Sequence, residues 1–306
     1  MILLCSGVLL VAFVAFQLWG TAIYTDHAQA NLRTQVKHQI GRTSLPLAEL
    51  GSARPGSKTK AAGLPPVATS VAPTTAPPAV GKPIGLIAIP KLGLDDVVVE
   101  GTGEAQLQGG PGHYLGTSLP GQAGNAGIAG HRTTFAAPFY NLNELAVGDP
   151  IFVLTSQGLF RYNVTSSEIV SPSDSAVLAS ATSVPELTLT TCNPRYSASQ
   201  RLVVFARLDT TKPAAKTGPS QPVKPPKTSR SLDPPTAAAG GGASGDVLPA
   251  VLWGVLFLFG AIALRLGAKR LPRAVGLISY VIGVPLLLGV LFLCFEHVSL
   301  ALPASF

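Results

Sequence analysis

One cysteine of this 306-residue chain lies outside its apolar ends: Cys192, in the stretch TLTTCNPRYSASQR (188–201). Cys5 and Cys294 fall in apolar segments, so Cys192 has no partner for a disulfide within the chain. A lone thiol is either a small buried hydrophobe or a nucleophile. The second reading needs a group to carry a proton, a donor for a developing oxyanion, and access for a substrate. Strand alternation puts Leu187, Leu189 and Thr191 on one face and Thr188, Thr190 and Cys192 on the other. Asn193-Pro194 then ends the strand, which leaves the thiol at a rim. After the loop NPRYSASQ the next strand begins at Arg201; a hairpin sets this arginine across from Cys192. There it is either a solvated strand-end charge or a donor to a thiolate or oxyanion. His27, His38 and His297 lie near the apolar ends, leaving His113 and His131 for proton transfer. His131 ends the run NAGIAGH before a polar HRTT turn, at a rim of its own. His113, in GGPGHYLG, is open to three readings: a cleft wall, a structural hydrogen bonder, or neither.

The elements that must position these side chains read as β. Short runs rich in Val, Ile, Thr and aromatics occupy 84–90, 96–101, 125–131, 149–155, 159–170, 186–192 and 201–208, separated by Gly, Pro, Asn and Asp. They predict an antiparallel sandwich or barrel. Leu142 and Leu145 predict one short helix near Pro138–Ala146. This compact domain, 81–210, lies between two stretches dominated by Pro, Ala, Ser, Thr, Lys and Gly, within 26–80 and over 211–246. Neither can bury enough apolar surface to offset chain ordering, so both read as tethers.

Residues 1–25, 247–264 and 274–295 carry no charge and are long enough to cross a bilayer as helices. The first is either an uncleaved anchor or, from Ala28-Gln29-Ala30, a cleaved signal sequence; its long apolar run and lack of a basic start favour the anchor. The connection 265–273 holds four basic residues and no acid, which places it in the cytoplasm. The 81–210 domain and the short tail 296–306 are then outside, on a multi-pass plasma-membrane protein. The net charge of +7 divides into +4 over 1–81, −3 over 82–210 and +6 over 211–306. Basic flanks suit anionic lipid or wall polymers, and a mildly acidic domain gives no support for nucleic-acid binding.

Four stretches, IPKLGLDDVVVEG, GNAGIAGHRTT, LNELAVGDPIFV and TLTTCNPRYSASQRLVVFARL, resemble sortases in order and spacing, and TLTTC fits that family's TLxTC pattern. GHRTTFAAPF and CNPRYSASQR are most similar to class E sortases of high-GC Gram-positive bacteria. The resemblance implies an all-β fold, an eight-stranded sortase-like β-barrel with short helices, here joined to three transmembrane helices. It also implies a cysteine transpeptidase in which Cys192 is the nucleophile, His131 the family histidine and Arg201 the family arginine. His113, Tyr114 and Thr191 are candidates for contact with substrate. The implied partners are surface proteins bearing a sorting signal, a peptidoglycan-precursor or pilin amine, and membrane lipid; no cofactor or metal is implied. In sortases the thiolate cleaves a Thr–Gly bond and an amine resolves the thioacyl enzyme. A thiol hydrolase that releases surface proteins and a non-catalytic module on the same fold are the alternatives; retention of His131, Cys192 and Arg201 argues against the module.

Overall fold

The computed structural model describes residues 11–41, 43–45, 66–68, 70–179, 184–210, 247–270 and 273–301. The β-branched and aromatic runs become strands β1 (Pro83–Ile89), β2 (Leu94–Glu100), β4 (Asn125–Ala129), β5 (Pro150–Thr155), β6 (Gly158–Val170), β7 (Glu186–Asn193) and β8 (Gln200–Leu208). A two-residue strand, β3 (Gly112–His113), completes them; it is too short to show a pattern in the sequence. The eight close into a barrel in the order β1-β2-β3-β4-β7-β8-β6-β5, which leaves no open sheet edge. The all-antiparallel expectation is corrected at two seams, since β2 pairs with β3 and β4 with β7 in parallel.

Inward residues of every long strand fill the barrel, among them Ile87, Val98, Ile128, Val153, Phe160, Tyr162, Leu189 and Val204. The outer face of β1, β2 and β5 is covered as well. There Leu86, Ala88, Val97, Val99, Phe152 and Leu154 pack with Leu32 and Val36 of helix α1 (Thr21–Ile40). This two-sided burial explains why PIGLIAI is apolar at consecutive positions instead of alternating. Gln29 seats the helix: its amide donates to Val97 O (3.1 Å) and Gly109 O (2.8 Å) and its carbonyl accepts from Val97 N (2.8 Å). Arg33 adds ion pairs to Asp95 and Asp96. Residues 26–40, read from sequence as a stalk ahead of the linker, therefore pack as part of the folded unit.

A helix α2 (Glu104–Gly109) precedes β3. The helix expected over Pro138–Ala146 contracts to a 3-10 turn, Leu142–Glu144. The apolar spacing there serves burial instead: Phe139, Leu142 and Leu145 all enter the core. The Asp149 carboxylate, accepting from Ala146 N at 2.8 Å, ends the turn.

The chain divides into two compact units, with the barrel and α1 from Ala22 onward in one. The other contains Met1–Thr21 and α3 (Val247–Arg270) and α4 (Arg273–Ala301). Within it Phe13 and Phe16 meet Phe295 and Phe292 edge to face, at 5.2 and 5.1 Å between ring centroids. Among the described residues two helical segments, Leu248–Gly267 and Ser279–Val298, are long and apolar enough to cross a membrane, and they bury almost none of their surface. Three were expected; residues 1–10 of the first lie outside the described residues, as does the tether 211–246. Arg265, Lys269 and Arg270, expected in a loop, extend α3.

Candidate active site

Cys192 and Arg201 face each other because β7 and β8 form a hairpin. The register pairs Cys192 with Arg201 and Asn193 with Gln200. The turn between them contains a cis Asn193–Pro194 bond and is tied by Ser197 N–H donating to Pro194 O at 3.1 Å. Arg201 is 3% exposed, and its Nη1 donates to Ala198 O (2.9 Å) and Gln200 O (3.1 Å). These bonds anchor the guanidinium to its own loop, opposite the thiol.

His131 reaches the same rim through the parallel seam. Ala129 of β4 pairs with Thr190 of β7. One step on, Gly130 N–H donates to Thr190 O (3.1 Å) and Thr191 Oγ1 donates to Gly130 O (2.7 Å). Continuing the register brings His131 level with Cys192 on the adjoining strand, and adjacent strands lie about 4.8 Å apart. Gly130 is required here, because a Cβ on it would sit 2.7 Å from Cδ2 of the Phe139 ring.

The imidazole is enclosed. His131 is 2% exposed, with Thr134 Oγ1 3.4 Å from Nδ1 and the Phe135 ring 5.0 Å away, tilted 35°. Phe135, Ala136 and Ala137 all adopt left-handed backbone angles (φ 51, 60 and 46°), a turn uncommon for side chains with a Cβ that brings the phenyl group against the imidazole. Burial lowers the His131 pKa to about 3, so the imidazole is neutral at pH 7. The sulfur is also recessed, since Cys192 is 8% exposed.

The three residues named from sequence as substrate contacts fare differently. Tyr114 lies on the thiol's face, its hydroxyl 2.9 Å from Thr190 Oγ1. Thr191 points to the other side and fastens β7 to β4 through its bond to Gly130. His113 is fully buried: Nδ1 lies 2.8 Å from Glu100 Oε2, and Nε2 lies 2.9 Å from both Ser118 O and Thr117 Oγ1. Both of its ring nitrogens are engaged, the arrangement of a structural hydrogen bonder. Arg132 was overlooked in the sequence. It follows His131 directly, is 6% exposed, and its Nη1 donates to Cys192 O at 2.8 Å. The one cue for it was a cation adjoining the candidate histidine.

The sortase domain family matches residues 87–209, which take in all of β2–β8 and the end of β1. The chain is 32% identical to sortase SrtE1 of Streptomyces coelicolor over 236 residues, covering 71% of this chain and 58% of that protein. It is 33% identical to sortase D of Bacillus subtilis over 133 residues, 42% of this chain and 66% of that one. The chain belongs to the sortase family. Among solved structures, sortase E1 of S. coelicolor with a tripeptide in its active site is 36% identical, covering 42% of this chain and 88% of that chain, with a TM-score of 0.40. Similarity to SrtE1 and to SrtE2 of the same organism, the latter at 26% identity, aligns this sortase with class E within a family of cysteine transpeptidases. The chain spans less than two thirds of the length of either SrtE1 or sortase D. Helices α3 and α4 lie outside the matched sortase domain.

Proposed function

We propose that this sortase is a membrane-anchored thiol transpeptidase that cleaves a Thr–Gly bond in a sorting signal and joins the new acyl end to a cell-wall or pilin amine. The observation that carries the reading is the convergence on one rim of Cys192, Arg201 across the β7–β8 hairpin, and the β4 end leading to His131. Because burial keeps His131 neutral, its first role in the proton transfer is that of a base. The thiol proton passes to the imidazole as sulfur attacks the threonine carbonyl carbon. The tetrahedral oxyanion is stabilised by guanidinium N–H groups of Arg201. Collapse breaks the C–N bond, and the glycine nitrogen leaves with the proton held by His131. An acceptor amine then attacks the thioester, gives a proton to His131 and, through it, restores the thiol. Enclosure of the imidazole favours this neutral shuttle, since a separated charge pair is costly in a dry site.

Membrane anchoring is supported by α3 and α4, and the basic residues 265, 269, 270 and 273 favour an extracytoplasmic barrel. The test incubates the full chain in detergent with a sorting peptide and an amine and weighs enzyme and products. A thioacyl adduct on Cys192 and an amide product are expected, both absent in Cys192→Ala and retained in Cys5→Ala and Cys294→Ala. Turnover by Cys192→Ala would sink the mechanism; a free-acid product alone would make the enzyme a hydrolase.

A further inference from the structure

Beside the thiol, two cations are held together by neutral groups. Arg132 Nη1 donates to Cys192 O and Asn193 Oδ1, both at 2.8 Å, and its Nη2 donates to Asn143 Oδ1 at 3.0 Å. Arg195, on the β7–β8 turn, reaches the same Asn143 oxygen at 3.4 Å and Asn141 Oδ1 at 3.0 Å, while its guanidinium lies 4.2 Å from the Tyr140 ring centroid. The two guanidinium groups thus converge on one amide oxygen. Neither takes part in an ion pair among the described residues; Glu144, next to Asn143, pairs with neither. Both Nε–H groups are buried and donate to nothing among the described residues.

Amide oxygens satisfy hydrogen-bonding geometry but cannot neutralise two charges, and bringing like charges together away from water is unfavourable. Burial, with the Arg195 charge acting in the same direction and the ionised forms of Cys192 and Tyr140 opposing, weakens the proton affinity of Arg132. A guanidinium edge with Nε–H unused is the fork that receives a carboxylate through two parallel hydrogen bonds.

We propose that Arg132 and Arg195 form a carboxylate-binding site beside Cys192, filled by an acidic group of one of the two substrates. The site rests on the reading of Cys192 as the nucleophile. A latch between β7 and the Asn141–Asn143 turn would need the same hydrogen bonds, but it would not distinguish an anion from its neutral isostere.

The primary test compares alkylation of Cys192 by iodoacetate and iodoacetamide in the full chain in detergent micelles, with the modified thiol identified by peptide mass. These reagents share a reacting carbon and differ in a carboxylate. The iodoacetate-to-iodoacetamide rate ratio should fall about 5-fold in Arg195→Gln, the loss of roughly one partly exposed charge pair, and by less in Arg195→Lys. An unchanged ratio in Arg195→Gln overturns the site. Resistance of Cys192 to both reagents would instead sink its role as nucleophile, and the site with it. Two further arms locate the source. If glycylglycine resolves the thioacyl enzyme faster than glycylglycinamide, and Arg195→Gln removes the preference, the carboxylate is the acceptor's. If acidic sorting peptides form the adduct faster than neutral ones, and the same variant removes that preference, it is the donor's. A wild-type enzyme with neither preference overturns the proposal.

Discussion

His131 is where the chemistry of one residue has a cost that can be measured. The unfolded chain protonates it below about pH 6.5, its ordinary value, whereas the fold resists protonation down to about pH 3. Between these values acid is taken up on unfolding, so lowering the pH removes stability. Asp96 acts in the opposite direction. Burial raises its pKa to about 6, with the Arg33 charge opposing, and stability from that group declines as the pH rises from about 4 to 6. The contribution of His131 is therefore read as a difference. Going from pH 7 to pH 4.5, the wild-type chain should lose on the order of 2 kcal/mol more than His131→Gln in urea melts. Equal losses would mean that the imidazole is not held neutral by the fold.

At the scale of elements, α1 is the part of the barrel unit that sequence reasoning passed over. Gln29 satisfies the N–H and C=O of Val97 and the carbonyl of Gly109, all at a buried joint. Gln29→Ala strands these groups and should cost about 2 kcal/mol, since each buried donor or acceptor left unmade costs about 1–3 kcal/mol. A urea midpoint equal to wild type would show that water replaces the side chain without penalty. The elements of the candidate site were easier to read than this one. TLTTC alternates, ends at Asn-Pro and leads by a countable loop to Arg201, so local rules alone yield the Cys192–Arg201 register. His131 was legible as the end of a strand, but its adjacency to Cys192 depends on a parallel pairing between strands about 60 residues apart, which no local pattern encodes. The helix was hidden for a related reason. Its covering face is short, just Leu32 and Val36 with Ile40 at the edge, and its anchors are polar. The consecutive apolar residues of β1 were the available sign that something covers the barrel there.

For the whole molecule, orientation follows from charge. If the basic residues around 265–273 are cytoplasmic, the segment 211–246 is outside, and protease added to intact protoplasts should cut it, separating a fragment that carries the barrel from one that carries α3 and α4. Protection until the membrane is permeabilised would reverse the orientation. The parallel β4–β7 seam carries a separate consequence for the order in which the protein is made. β5 and β6 are synthesised between β4, which leads to His131, and β7, which carries Cys192, and Arg201 lies at the start of β8, the last strand among the described residues. On the proposed reading, a growing chain displays His131, and later Cys192, before it possesses the strand arrangement that brings the two together. The candidate site is assembled only when the barrel shuts, in a fold built on distant pairings that are slow to form. If Cys192 is the nucleophile proposed above, its thiol is thereby kept from acting on neighbouring chains until the barrel has closed.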